Sequence, residues 1–203
     1  MYGDSEMSFE EAKEFVRKKF EDEERDASHD FSHVERVLKY CEIVGRKERA
    51  DMEVLRYAAL FHDYSRESPR KTKIDHAAKA VREVRRILPR FLPPKKVIEV
   101  QRAIMTHSKE CEKDPETLEA KVLWDADKLD AIGPTGVARY MVRGGIRGWG
   151  IEQTIKRGLE KLDKIWERSF YTETAKKMSR TKRKKCTKLC DELLYDLNPN
   201  NFK

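Results

Sequence analysis

The chain has 203 residues, 38% apolar and 40% charged; that length suits one domain with a sizeable core, and mixed-sign charge with apolar residues at helical spacing argues against disorder and against a sheet sandwich. A formal net charge of +7 and a pI near 9.1 favour anionic partners, above all nucleotides and phosphorylated metabolites, with nucleic acid the minor expectation. No apolar run approaches the roughly 18 residues of a membrane span, no apolar signal segment opens the chain, and the four cysteines, Cys41, Cys111, Cys186 and Cys190, show no CxxC spacing, so the expectation is a reducing cytoplasm without membrane attachment.

In chain order, Ser8 with Glu11 reads as a capping box that opens a helix carrying Phe9, Ala12, Phe15, Val16 and Phe20. A second box, Ser32 with Glu35, opens a helix with the stripe Val34, Val37, Leu38, Cys41 and Val44 and places His33 in its first turn. Asp51 caps a third helix, through Leu55, Ala58, Ala59 and Phe61, whose last turn delivers His62 and Asp63. Ser65 to Lys73 reads as loop. Asp75 precedes a helix that starts at His76, carries Ala77, Ala80, Val81, Val84, Ile87 and Leu88, and ends at the prolines Pro89, Pro93 and Pro94. Pro94 suits the first turn of the next helix, with Val97, Ile98, Ala103 and Ile104, which arrives at His107.

Asp114 and Pro115 open a further helix through Leu118, Val122, Leu123, Ala126 and Leu129, broken near Gly133 and Pro134. The glycine-rich run from Tyr140 to Gly150 is expected to be a loop. Two helices close the chain, one with Ile151, Ile155, Leu159, Leu162 and Trp166, the other with Ala175, Met178, Leu189, Leu193 and Leu197; Cys186 and Cys190 read as core residues of the latter. The basic run Lys176, Lys177, Arg180, Lys182, Arg183, Lys184 and Lys185 reads first as a solvated helix face and second as a binding patch. The fold class expected is therefore all-α, a single-domain helical bundle over residues 1–203 of about eight helices, without repeats or strands.

All five histidines, His29, His33, His62, His76 and His107, precede residue 110, and four stand at or near an expected helix end. The adjacent pair His62 and Asp63 adds carboxylate to imidazole, a mixed nitrogen and oxygen donor set suited to divalent transition metals. The sequence here resembles the HD-domain metal-dependent phosphohydrolases, whose pattern is a histidine, a His-Asp doublet and a distant aspartate. The match reads His33 in Asp30-Phe31-Ser32-His33-Val34-Glu35-Arg36-Val37, the doublet in Leu60-Phe61-His62-Asp63, and the aspartate in the segment Asp125 to Gly133. Thr106-His107-Ser108 and the continuation to Arg139 look like a small bacterial and archaeal HD hydrolase subgroup, a likeness covering roughly residues 26 to 145.

Carried over, the resemblance implies a helical bundle of the HD type and a divalent ion on His33, His62, Asp63 and Asp127, with Mn²⁺ favoured and Ni²⁺, Co²⁺, Fe²⁺, Zn²⁺ or Mg²⁺ as alternatives. It implies hydrolysis of a phosphate ester or anhydride, most readily of a nucleotide, by metal-activated water. Asp125 and Asp130 compete with Asp127 for the ion: Asp125 points nearly opposite to Asp127 but lies beside the apolar stripe, whereas Asp130 shares the face of Asp127 and suits a supporting contact. Asp63 can ligate and handle a proton, and Glu67 is a candidate general base. Arg66 stands where the glutamate of the superfamily's His-Asp-x-x-Glu nucleotidases would fall, so the substrate class stays open. Arg36, Arg66, Lys128, Asp130 and Arg139 are candidate substrate contacts, as are His76 and His107, which alternatively hold a second ion as in two-metal members of the superfamily. The competing functions are a di-iron oxygenase and a non-catalytic module whose basic last helix binds nucleic acid.

Overall fold

Amphipathic stripes of this kind need one another to bury their apolar faces. In the computed structural model, which describes residues 8–23, 27–66, 76–107, 114–167 and 170–202, they do so as nine α-helices with no strand among the described residues. Helix α1 spans Phe9–Asp22, α2 Phe31–Glu48, α3 Met52–Phe61, α4 His76–Ile87 and α5 Pro94–Met105. Then come α6 (Leu118–Asp130), α7 (Gly133–Ile146), α8 (Ile151–Glu167) and α9 (Glu173–Asp196), with 3₁₀ turns at Ala27–His29, Leu88–Arg90 and Pro199–Phe202.

The caps explain where the helices begin. Ser8 and Glu11 form the expected box, and the Asp51 side chain accepts from the amides of Glu53 and Val54. Two expected caps are replaced. Asp30, not Ser32, caps α2 by accepting from the His33 amide at 3.2 Å, while the Ser32 hydroxyl donates to Asp30. Thr117, not Asp114, caps α6 through the Ala120 amide; the Asp114 carboxylate instead accepts from the Tyr171 hydroxyl. Asp75 lies outside the described residues.

The expected loop between Tyr140 and Gly150 is largely the second half of α7, a helix additional to the eight expected. Pro134 pre-sets the first turn of α7, and its later glycine serves packing rather than a turn. A Cβ added at Gly144 would stand 2.3 Å from the Thr154 hydroxyl, so α8 approaches α7 closely only because that carbon is missing.

The core sits mainly among α2, α3, α5 and α6, with α3 and α6 each touching the other three, α1 laid on α2 and α3, and α4 laid on α5. All five expected stripe residues of α2 are buried there, whereas Ile98 of α5 faces solvent. A smaller apolar cluster joins Val137 of α7, Ile155 of α8, and Cys186 and Cys190 of α9. No described helix is long and apolar enough to cross a membrane.

Candidate metal centre

Four elements deliver acceptor atoms into the main core. His33 comes from the first turn of α2; His62 closes α3 and Asp63 follows in the turn beyond it; Asp127 projects from α6; His107 lies just past the end of α5. His33, His62, Asp63 and His107 are all at most 1% exposed. Such polar groups stay buried only with partners, and their partners determine which atoms remain for a ligand.

His62 Nδ1 lies 2.7 Å from the Ala59 carbonyl oxygen and His107 Nδ1 2.6 Å from that of Ile104. A carbonyl only accepts, so each Nδ1 carries a proton and each ring turns its Nε2 inward. Burial, the largest influence on His62, pushes it down to about 4 against the pull of Asp63, so it is neutral near pH 7. His33 Nδ1 donates to Asp130 Oδ2 at 2.8 Å. Burial would raise Asp130, but hydrogen bonds from His33 and Arg36 outweigh it and hold the carboxyl at about 2, an ionised acceptor that fixes the tautomer of His33 as well.

The consequence is a convergence of ring nitrogens and carboxylates. His33 Nε2 and His62 Nε2 stand 3.3 Å apart. Asp63 Oδ2 lies 3.6 Å from the first and 3.7 Å from the second, and Asp127 Oδ1 lies 3.5 Å from His33 Nε2. Asp63 and Asp127 are both held well below the usual carboxylate range: burial opposes this in each case, outweighed at Asp63 by Arg66 and the imidazoles and at Asp127 by Lys128 and His33. One ligand atom each from His33, His62 and Asp127 fits within a 4.8 Å span. That matches donors held about 2.0–2.2 Å from a central ion. The donor set thus fits a divalent cation. Asp127 is 21% exposed, so the cluster is open to solvent on that side.

Residues 30–132 match the model of the HD domain family, just over half of the chain. The chain belongs to the HD domain family. HD domains bind divalent metal ions, and the cluster of His33, His62 and Asp127 fits one. The uncharacterized protein YpgQ of Bacillus subtilis (strain 168) is 34% identical over 131 residues, which are 62% of this chain and 62% of YpgQ, so the alignment spans less than two thirds of that relative's length. Among solved structures, a predicted HD superfamily hydrolase from an uncultured Thermotogales bacterium superposes with a TM-score of 0.69 at 28% identity, covering 93% of this chain and 92% of its own. The structure of Bacillus subtilis YpgQ in complex with ADP superposes with a TM-score of 0.75 at 24% identity, over 94% of this chain and 98% of that one, and shares the fold.

The structure of this HD domain brings His33, His62, Asp63 and Asp127 together and turns Asp125 away. Asp125 accepts from the amides of Tyr171 and Thr172 and from the Thr172 hydroxyl, at 2.7–2.9 Å, fastening α6 to the start of α9. Burial pushes its carboxyl up, and these bonds oppose that. The expected substrate contacts divide. Lys128 faces the cluster, donating to Asp127 Oδ2 at 2.6 Å and to the His107 carbonyl at 3.3 Å above the Trp124 ring, and Arg66 holds Asp63 Oδ1 at 3.1 Å. His107 Nε2 is 3.7 Å from Asp63 Oδ1. Arg36, Arg139 and Asp130, expected at the substrate, stand instead behind His33: both guanidinium groups bind the Asp130 carboxylate, on the Nδ1 side of the ring and away from the converging Nε2 atoms. Glu67 and the side chain of His76 lie outside the described residues; the backbone of His76 starts α4.

Sequence reasoning passed over two contacts. Arg139 also donates to the Ser28 carbonyl at 2.9 Å, and the neighbouring His29 sets its ring edge-on to His33, 5.7 Å between centroids. The His29-x-x-x-His33 spacing was a signal for the second; the first links residues 111 positions apart and had none.

Proposed function

We propose that this HD domain is a divalent-metal-dependent phosphohydrolase of nucleotides or related small phosphorylated molecules, with the ion held by His33, His62, Asp63 and Asp127. The observation that carries the reading is the facing of His33 Nε2 and His62 Nε2 at 3.3 Å with both Nδ1 protons committed elsewhere, beside two ionised carboxylates. A bound divalent ion supplies acidity to water and neutralises phosphate oxygens. The protein groups do the rest. Asp130, pinned by Arg36 and Arg139, keeps His33 in its ligating tautomer. Lys128 and Arg66, each already on a carboxylate of the cluster, are placed to take phosphate oxygens at its margin, and His107 to contact substrate beside Asp63. Asp63 and Glu67 are the groups proposed to move the proton of the attacking water. The ADP complex of YpgQ supports a nucleotide as the ligand class.

The test is turnover by purified protein loaded with Mn²⁺, Ni²⁺, Co²⁺, Fe²⁺, Zn²⁺ or Mg²⁺, against nucleoside mono-, di- and triphosphates and cyclic phosphodiesters. Phosphate and pyrophosphate are measured separately, which separates the bond classes. Metal-dependent release from one class is expected. No release with any ion, or oxygen consumption by a form holding two irons per chain, overturns the reading.

A further inference from the structure

We propose that the outward face of α9 is a binding surface for nucleic acid, engaging the phosphate backbone without reading its sequence. Between residues 174 and 190 there are eight Lys and Arg and no Asp or Glu, more positive charge than the whole chain's formal +7, so the remainder of the chain has no positive excess at all.

Helical geometry makes that patch a stripe. At 3.6 residues per turn, Lys176, Lys177, Arg180, Arg183, Lys184 and Lys188 fall within an arc of about 140° and extend along about 18 Å of axis. Ala175, Ser179, Cys186 and Cys190 occupy the other side and are buried, which fixes the stripe outward. At the ends of the stripe, Lys176 pairs with Glu173 at 2.7 Å and Lys188 with Glu192 at 3.7 Å. Lys177, Arg180, Lys184 and Lys185 are exposed and form no ion pair with any described residue. Lys182 differs, because it turns back to the Tyr40 hydroxyl at 2.8 Å.

The chemistry of the face selects the partner. Between the cations stand the exposed Thr181 and Thr187 and no apolar side chain. Lys, Arg and Thr are the groups that contact phosphate and sugar in nucleic-acid complexes. Insertion into a lipid surface would need apolar residues at the acyl boundary, which this face lacks. A duplex presents a charge about every 1.7 Å along its axis, enough to engage the whole stripe at once.

The experiment uses the full chain with labelled duplex DNA and duplex RNA of about 20 base pairs in two unrelated sequences, followed by anisotropy over a salt series. Wild type is expected to bind both sequences alike, its log affinity falling with log salt at a slope of about −4 for four or five phosphates contacted. The variant Lys177→Gln/Arg180→Gln/Lys184→Gln/Lys185→Gln should retain its helicity, lose at least about tenfold in affinity at low salt and flatten the slope by about 3. Comparing DNA with RNA shows which backbone is preferred. No duplex binding at about 50 mM salt, equal binding by the variant, or tighter binding to phosphatidylserine vesicles than to either duplex would overturn the proposal. Hydrolysis of small nucleotides by the same variant should equal that of wild type, so the catalytic reading and this one fail separately.

Discussion

The two halves of the molecule handle charge in opposite ways. Between α2, α3, α5 and α6 three carboxylates are buried and each has a named partner: Asp130 has His33, Arg36 and Arg139; Asp125 has Tyr171 and Thr172; Asp63 has Arg66. Along α9, positive side chains crowd one exposed face with few counter-charges. A buried charge costs several kcal/mol unless it is paired, so inner substitutions should act strongly and specifically. Solvated charges cost little, so the outer face tolerates an excess that only a polyanion would neutralise.

The largest effect is expected from removing a converging acceptor. His62→Ala, Asp63→Ala or Asp127→Asn should each lower kcat/KM at least about 1000-fold, roughly 4 kcal/mol of transition-state stabilisation, and strip the ion as read by elemental analysis. Far-ultraviolet dichroism should show the helices intact. Normal metal content in any of the three would remove that residue from the proposed ligand set. The count itself is informative: one ion per chain is expected, and two, falling to one in His107→Gln, would make His107 a ligand rather than a substrate contact.

A smaller effect concerns pH in the metal-free protein. His62 is held at about 4 in the fold against an ordinary 6.5. Between those values the unfolded chain binds the proton and the native ring refuses it, so stability must fall as pH drops from 6.5 towards 4. The shift corresponds to about 3 kcal/mol. Denaturant titrations of wild type and His62→Gln should therefore diverge across that window, with wild type the more acid-sensitive. Parallel curves would show that the ring is not buried neutral. Below the ordinary aspartate value a second loss follows as Asp63, Asp127 and Asp130, all depressed in the fold, take up protons.

The smallest effect tests the seam between the two regions. Asp125→Asn keeps the shape of the side chain but sets an amide group against donors at the start of α9, and should cost about 2 kcal/mol of unfolding free energy while metal affinity stays unchanged. Metal loss in Asp125→Asn would instead couple the seam to the centre.

Much of this was legible beforehand because it is local. Apolar spacing located the helices, and Ser8, Asp51 and Pro94 marked three of their starts, since capping and proline geometry act within a few residues. Spacing also set Asp125 and Asp127 on different faces of α6. What it left open were choices between equivalent residues. Ser32 and Asp30 are both good caps, and the backbone direction into α2 decided for Asp30. Gly144 reads as loop until Thr154 is seen against it.

By itself, then, the sequence determined the helical class, the His-Asp doublet and the order of acceptors along the chain, because periodicity and motif spacing are properties of neighbouring residues. Only the tertiary structure decided that Asp125 fastens α9, that Arg36 and Arg139 stand behind His33 on Asp130 rather than before it, and that two imidazole Nε2 atoms meet at 3.3 Å. Those facts depend on side chains from separate helices sharing a few ångströms of buried space, and no local rule specifies which partners will meet there.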